Sequence, residues 1–273
     1  MVAPSEVTLL TRLYPFALAL LRIVAAFLFW QHGAQKMFGW FGGNPVSPFG
    51  LLWFAGILEC FVAPLLIVGL FTRRVAFVLS GQMAVAFFIA HFPRAFWPIE
   101  NQGVVPLQFS FIFLLLATSG PGAWSVDGLL ARHAIGKPDW FRERLEPLYP
   151  AALTLLRVMT AFLFWQFGVR KLFGWLGGRA VEGFSLRLVA GVLEAFGGPL
   201  IALGAFTRPL AFLLSGEMAF AYWMSHFPRG TGFWPIENGG EASVLFCFIY
   251  LFLVTAGPGP LSLDGLFAKK KSA

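Results

Sequence analysis

Apolar residues in this chain fall into eight runs, separated by short segments rich in glycine, proline and charge. In the first half the runs are Leu13–Phe38, Phe49–Leu70, Val75–Ala90 and Val104–Thr118; in the second they are Leu148–Phe173, Phe184–Ala205, Leu210–Ser225 and Ala242–Ala256. A helix that crosses a bilayer needs about 20 apolar residues, so the pattern predicts an all-α membrane protein with eight transmembrane helices. The third and fourth runs of each half are short for that task. Either flanking residues complete them, or the polar segment between them dips into the membrane under protein cover, where its backbone groups find partners. Pro106 weakens the start of the first half's fourth run, because proline removes a helical N–H donor.

The halves repeat one another. Leu21-Arg22, Phe29-Trp30-Gln31 and Lys36 with Phe38-Gly39-Trp40 recur 135 residues later as Leu156-Arg157, Phe164-Trp165-Gln166 and Lys171 with Phe173-Gly174-Trp175. Leu58-Glu59, Phe71-Thr72-Arg73 and His91-Phe92-Pro93-Arg94 recur at the same spacing as Leu193-Glu194, Phe206-Thr207-Arg208 and His226-Phe227-Pro228-Arg229. The offset then becomes 137, pairing Phe96–Asn101 with Phe233–Asn238, so the second copy carries two extra residues around Gly230-Thr231-Gly232. A fixed long period of this kind marks a duplicated structural unit. Four spans per unit is an even number, so the two repeats run parallel, unlike the inverted repeats of many transporters. The expected division is a first repeat over 1–130, a charged linker over 131–147 and a second repeat over 148–273. The linker should be solvated, with one amphipathic turn at Trp140-Phe141.

Composition sharpens this picture. Charged residues make up 12% of the chain against 58% hydrophobic, with a mean hydropathy of +0.75, whereas soluble domains carry about 25% charge. The 33 Phe and 10 Trp suit lipid-facing surfaces and interfacial belts. A net charge of +7 would suggest nucleic acid in a soluble protein, but these basic residues lie between apolar runs and no nucleic-acid-binding motif accompanies them. Thirteen of the 20 Lys and Arg fall on the side holding the termini, the linker and the loops after each second run. By the positive-inside rule that side is cytoplasmic, which places a multi-pass protein in the plasma membrane with both termini inside. No cleavable signal is expected, because the first run is too long and lacks a small-residue exit. Cys60 and Cys247 lie singly in apolar runs and support neither a disulfide framework nor a zinc site.

Ionisable residues inside spans are costly and point to functional sites. Arg22 and Glu59 in the first repeat, and Arg157 and Glu194 in the second, count to similar mid-membrane depths, which predicts an Arg–Glu pair in each. Gln82 and Glu217 should approach them. Such a pair also serves simply to fix helix register, since removing one partner strands the other. Along the first helix, Arg22, Ala26, Phe29, Gly33 and Lys36 recur at steps of four and three and share one face; Arg157, Ala161, Phe164, Gly168 and Lys171 repeat it. The small residues on that face permit close helix contact. Lys36 and Lys171 should mark its outer rim.

The outer segment after each third run is the densest polar cluster. His91, Arg94 and Glu100, with His226, Arg229 and Glu237, offer proton-exchanging and anion-binding groups. Trp97 and Trp234 suit either a ring-shaped ligand or an interfacial belt. The repeats differ at polar positions: His32 faces Phe167 in the alignment, while Glu217 and Glu241 correspond to Gln82 and Val104. The second repeat keeps more acid and is the better candidate for chemistry. No phosphate-binding glycine loop, flavin motif, haem-attachment motif or metal-ligand spacing occurs, and haem between His91 and His226 is disfavoured because both stand at span ends beside proline.

These motifs resemble the DoxX family of small membrane proteins, here as a tandem fusion. The resemblance rests on the stretches Leu21–Gly43 and Leu156–Gly178, on Leu193-Glu194 through Gly197-Gly198 to Phe206-Thr207-Arg208, on Gly216-Glu217-Met218, and on His226 to Gly239. Gly257-Pro258-Gly259 and Ser262 with Asp264 complete it. The first repeat departs at Val62-Ala63, Gln82 and Val104. The resemblance implies a four-helix membrane unit and association with membrane redox enzymes, including the DoxD-type subunit of thiosulfate:quinone oxidoreductase.

The resulting expectation is a membrane oxidoreductase subunit that handles quinone or a small electron donor at the outer face, with a redox partner subunit, membrane lipid around it and scope for homo-oligomers. Arg157, Glu194 and Glu217, with Arg22 and Glu59 in the first repeat, would relay protons or charge. Lys171, His226, Arg229, Trp234 and Glu237, with Lys36, His91 and Arg94, would bind the substrate. The alternatives are a small-molecule or ion transporter and a scaffold subunit. No cofactor motif decides between an enzyme and a subunit that serves one.

Overall fold

A computed structural model describes residues 4–131, 139–229 and 232–272, and among them it is all helical with no strand. Arg132, His133 and Lys137 of the linker, and Gly230 and Thr231 of the two-residue insertion, lie outside the described residues, as do the side chains of Lys269–Lys271. The first repeat comprises α1 (Pro4–Phe38), α2 (Leu51–Val68), α3 (Thr72–His91) and α4 (Val104–Ser119). The second comprises α5 (Tyr149–Phe173), α6 (Leu186–Leu203), α7 (Thr207–Ala221, continued as a π turn over Tyr222–His226) and α8 (Glu241–Ala256). Five segments, holding α1, α2, α3, α5 and α6, are long and apolar enough to cross a membrane, and α4 and α8 are shorter apolar helices.

Every expected run is a helix, and the differences lie at the ends. The third helices gain length by extending to His91 and His226, each closing a π turn. The fourth helices stay at 16 residues, roughly 24 Å at 1.5 Å per residue. Pro106 sits in the first turn of α4, where its missing N–H has no helical acceptor to lose. Beyond α3 the chain turns back into the bundle: the Ile99 N–H donates to Gln166 Oε1 on α5 at 3.1 Å. Asn101, buried, donates to the Ala95 carbonyl at 2.7 Å and accepts from the Gly103 N–H at 2.8 Å. Completed third helices and an inward-folded, protein-covered segment therefore occur together.

The repeats interlock. Helices α1 and α2 form one antiparallel pair and α3 and α4 another, but beyond its α3 partner α4 packs on α5 rather than on α1, and beyond α7 the helix α8 packs on α1 rather than on α5. Equivalent residues meet across the junction: the Tyr14 hydroxyl donates to the Tyr149 hydroxyl at 2.9 Å, and the two positions are 135 apart. Trp97 packs on Phe162 and Trp165, while Trp234 packs reciprocally on Phe27. Such i-to-j and j-to-i contacts define an isologous interface, here between two halves of one chain. The repeats thus form a single bundle with a pseudo-two-fold relation.

Basic and acidic motif residues close the ends of the helices. Arg73 and Arg208 donate to the last carbonyls of α4 and α8, among them those of Ala117 and Thr255. Asp264 accepts the backbone N–H of Phe206 at 2.8 Å and of Thr207 at 2.9 Å, and Asp127 does the same for Phe71 and Thr72. These carboxylates cap the starts of α7 and α3, whose first N–H groups have no helical acceptor. Asp264→Ala is expected to cost about 1–2 kcal/mol, the usual worth of a helix N-cap, read as an earlier unfolding midpoint in detergent with cavity residues untouched. In the linker, Asp139 caps a short helix over Trp140–Leu145, Trp140 is exposed, and Phe141 packs on Phe77, giving the amphipathic turn expected there.

Candidate functional site

The site begins with two glycines. Gly168 on α5 lies so close to α6 that a side-chain carbon there would fall 2.2 Å from the Ala195 nitrogen; at Gly33 the corresponding gap to Cys60 of α2 is 2.3 Å. Backbone therefore meets backbone. Three residues further along the same helical face, Lys171 reaches across and forms an ion pair with Glu194, as Lys36 does with Glu59. Glu59 and Glu194 are buried, whereas the lysines remain partly exposed, with the flexible stem carrying the ammonium to its partner.

This corrects the pairing expected from depth. Arg22 does not meet Glu59, and Arg157 does not meet Glu194. Arg22 donates to the carbonyls of Pro121, Ala123 and Trp124, and Arg157 to those of Pro258 and Leu261, in the turns that follow α4 and α8. The physical reason is that the 35-residue α1 runs past the ends of its neighbours: Arg22 is level with Gly69, just beyond α2, so the start of the apolar run does not mark the level at which the neighbouring helices end. Arg22 lies eleven residues before Gly33, roughly 16 Å along the helix, and Gly33 is level with Glu59. The arginines are buried staples at the end of the bundle that carries the termini.

In the second repeat, Lys171, Glu194, Glu217, His226 and Arg229 line one cavity of about 910 Å³. Five of the residues named for this repeat are thus brought together; Arg157, Trp234 and Glu237 are not among its walls. Trp234 instead packs across the repeat junction, its ring tilted against Phe41 at 4.9 Å between centroids. Both carboxylate oxygens of Glu217 are buried without a hydrogen-bond partner, and so is Glu194 Oε2, the oxygen that Lys171 leaves free. At the far end His226 Nε2 lies 3.3 Å from Ser243 Oγ and Nδ1 lies 3.4 Å from the Asn238 carbonyl. Apart from Arg187 and a few serines the remaining wall is apolar, and its rim includes Leu186, Phe212, Phe220 and Met224, all exposed on the outside of the bundle. The cavity consequently opens sideways, toward lipid.

The first repeat has a smaller cavity of about 620 Å³, lined by Lys36, Glu59, Gln82 and His91 but not by Arg22 or Arg94. Here Gln82 Nε2 donates to Glu59 Oε1 at 2.9 Å, so the position of Glu217 is filled by a neutral donor. A further pair joins this cavity from across the molecule: His32 Nε2 is 2.8 Å from Glu241 Oε1, on α8 of the other repeat. Sequence reading noted that His32 and Glu241 each lack a counterpart but did not connect them. Their shared status as single-copy polar residues on apolar helices was the available signal. His91 and His226 line different cavities and each faces a backbone carbonyl of its own turn, an arrangement without a shared haem position. Among the described residues no cluster of three metal-ligating side chains occurs.

A helical bundle with this many apolar crossings and two lipid-facing cavities is a multi-pass membrane protein. The chain belongs to the DoxX family, whose model matches residues 17–92 and again 152–227. The two matches cover the first three helices of each repeat and confirm the tandem duplication. A protein of Haemophilus influenzae described as uncharacterized is 41% identical over 131 residues, which is 46% of this chain and 98% of the relative. No solved structure matches the chain.

Proposed function

We propose that this chain is a quinone-handling subunit of a membrane oxidoreductase, with the working site in the second repeat. The observation that carries the reading is the lateral cavity whose apolar walls end in Lys171, Glu194 and the unpaired Glu217. Ligand pockets are characteristically apolar with a few convergent polar groups, and a sideways mouth suits a molecule that is already dissolved in lipid. The residues present fit a quinone head: Lys171 offers an ammonium donor to one ring oxygen, Glu217 offers a second polar contact, and Phe164, Phe167 and Phe246 supply aromatic walls. A bound quinone supplies two-electron redox chemistry. The chain's own residues orient the head, exclude water and hold a proton beside it. Electrons would come from a redox partner subunit or from a small donor, and His226 and Arg229 at the far end suit an anionic donor such as thiosulfate.

In this reading all eight helices cross the plasma membrane, as repeats over 1–130 and 148–273 joined by a linker over 131–147 on the cytoplasmic side, with both termini. The short α4 and α8 are accommodated because each is shielded by the other repeat. Transport is less well supported, since Arg157 and Arg22 staple the end of the bundle that a through-path would have to open.

The test is native mass spectrometry of gently solubilised protein, followed by titration of the reconstituted chain with a short-tailed quinone. The expected result is saturable quinone binding, weakened about tenfold or more by Phe246→Ala, which removes an aromatic wall worth more than about 1.4 kcal/mol. Absence of co-purified quinone together with no binding by the reconstituted chain overturns the reading.

A further inference from the structure

The two cavities share their lysine and first glutamate, and two of the differences between the repeats lie in the second repeat's favour as a proton site. Glu217 on α7 replaces Gln82, and Tyr250 on α8 replaces Phe113, its equivalent at the offset of 137. Gln82 satisfies Glu59 by donating to it. Glu217 has nothing to donate while ionised, and in the described structure neither of its oxygens has a partner. Tyr250 is 0% exposed, its hydroxyl likewise lacks a partner, and it lies within electrostatic reach of Glu217 and Glu194. Its ring packs against Phe164 and Phe246 of the cavity wall, at 5.1 and 6.2 Å between centroids.

The charge count separates the repeats. In the first, Lys36 answers Glu59 and His32 answers Glu241, with Gln82 neutral. In the second, Lys171 answers Glu194, and Glu217 is left over. The titratable groups that share the cavity with Glu217 are Lys171 from α5, Arg187 and Glu194 from α6, His226 at the end of its own helix and Arg229 in the following turn, and Tyr250 from α8 lies behind the wall within electrostatic reach of it. The arginines and His226 stand toward the far end of the cavity, and Lys171 is already committed to Glu194. A carboxylate in apolar surroundings without a paired cation takes up a proton rather than remain charged.

We infer that Glu217, with Glu194 and Tyr250 beside it, is a buried proton-exchange site of the second repeat, and that the first repeat has lost or never acquired its equivalent. The site holds one proton on the Glu217 carboxyl and passes it to a basic oxygen brought into the cavity, leaving the carboxylate to be reprotonated from the far end past Lys171. This rests on the quinone reading only for the identity of the acceptor; the proton itself is carried by the chain alone.

Infrared difference spectroscopy of the full chain in lipid bilayers tests it. Wild type minus Glu217→Gln should show a protonated-carboxyl carbonyl band that disappears as pH is raised, and Tyr250→Phe should shift that band while leaving it present. Gln82→Glu should add a second band of comparable size, because the first cavity then carries the same surplus carboxyl. Glu217→Gln copies the first repeat and should fold; if it does not, Glu217→Asp must shift the band instead. No band lost with Glu217, or a band unmoved by both Glu217→Asp and Tyr250→Phe, overturns the inference. A band that quinone leaves untouched keeps the proton site and removes the quinone reading, whereas quinone binding without the band does the reverse.

Discussion

Replacing Gly168 by leucine should leave no folded protein to purify, and Gly33→Leu should do nearly the same. A Cβ at residue 168 would lie 2.2 Å from the Ala195 nitrogen, 2.6 Å from its Cα and 2.7 Å from the Glu194 carbonyl carbon. All three are backbone atoms, so no rotamer change can relieve the clash and α5 and α6 must separate. Overpacking a close interior contact costs about 1–3 kcal/mol where side chains can move, and here they cannot, so roughly 3 kcal/mol or more is expected. The same separation would pull Lys171 off Glu194. The control is Gly216, one residue from Glu217, where an added Cβ meets nothing within 4 Å. Gly216→Ala should be tolerated and even gain up to about 1 kcal/mol from helix propensity. Expression yield and unfolding midpoints in detergent for the three variants, side by side, check the prediction; a Gly168→Leu protein as stable as wild type would show that the helices do not touch there.

The helices were legible because apolar runs and motif repeats are one-dimensional signals, and the duplication lets each repeat check the other. The glycine stripe was legible too: steps of four and three place Gly33 and Gly168 on the face that does make the close contact. What failed was depth. Counting from Leu13 puts Arg22 at mid-membrane, but α1 runs past the ends of its neighbours and its register is set by packing against α2, which the count does not contain. The resulting error moved two motif arginines from the bundle's end to its centre and hid the lysines as the true partners of Glu59 and Glu194. The packing of each fourth helix on the first helix of the other repeat was equally invisible, because an internal repeat fixes the fold of each unit and leaves open which neighbour it uses. For that reason the His32–Glu241 pair, which joins α1 to α8, could be seen only in three dimensions. Tyr250 escaped notice for a simpler reason: one hydroxyl on an aromatic ring scarcely alters an apolar run.

Lys171→Met should destabilise the protein by about 3–5 kcal/mol, the usual result of removing one partner of a buried pair. Glu194 is 2% exposed. Lys171 donates to its Oε1, while Oε2 has no other partner, so without the ammonium two desolvated oxygens remain with no donor. Glu217, which lines the same cavity, is itself a carboxyl and cannot neutralise them by charge. In the first repeat the corresponding change should be milder, because Gln82 still donates to Glu59 at 2.9 Å after Lys36 is gone. The neutral pair is the decisive variant. Lys171→Met combined with Glu194→Gln removes both charges, and well-packed neutral replacements of buried ion pairs are often close to neutral in stability, so most of the loss should be recovered. Unfolding midpoints of the two single variants, the double variant and Lys36→Met form the cycle. A double variant no more stable than Lys171→Met would mean that the lysine acts through packing of its stem rather than through its charge. Full recovery of stability with quinone binding still lost would instead separate the two roles of the pair, holding α5 to α6 and presenting a donor to the cavity.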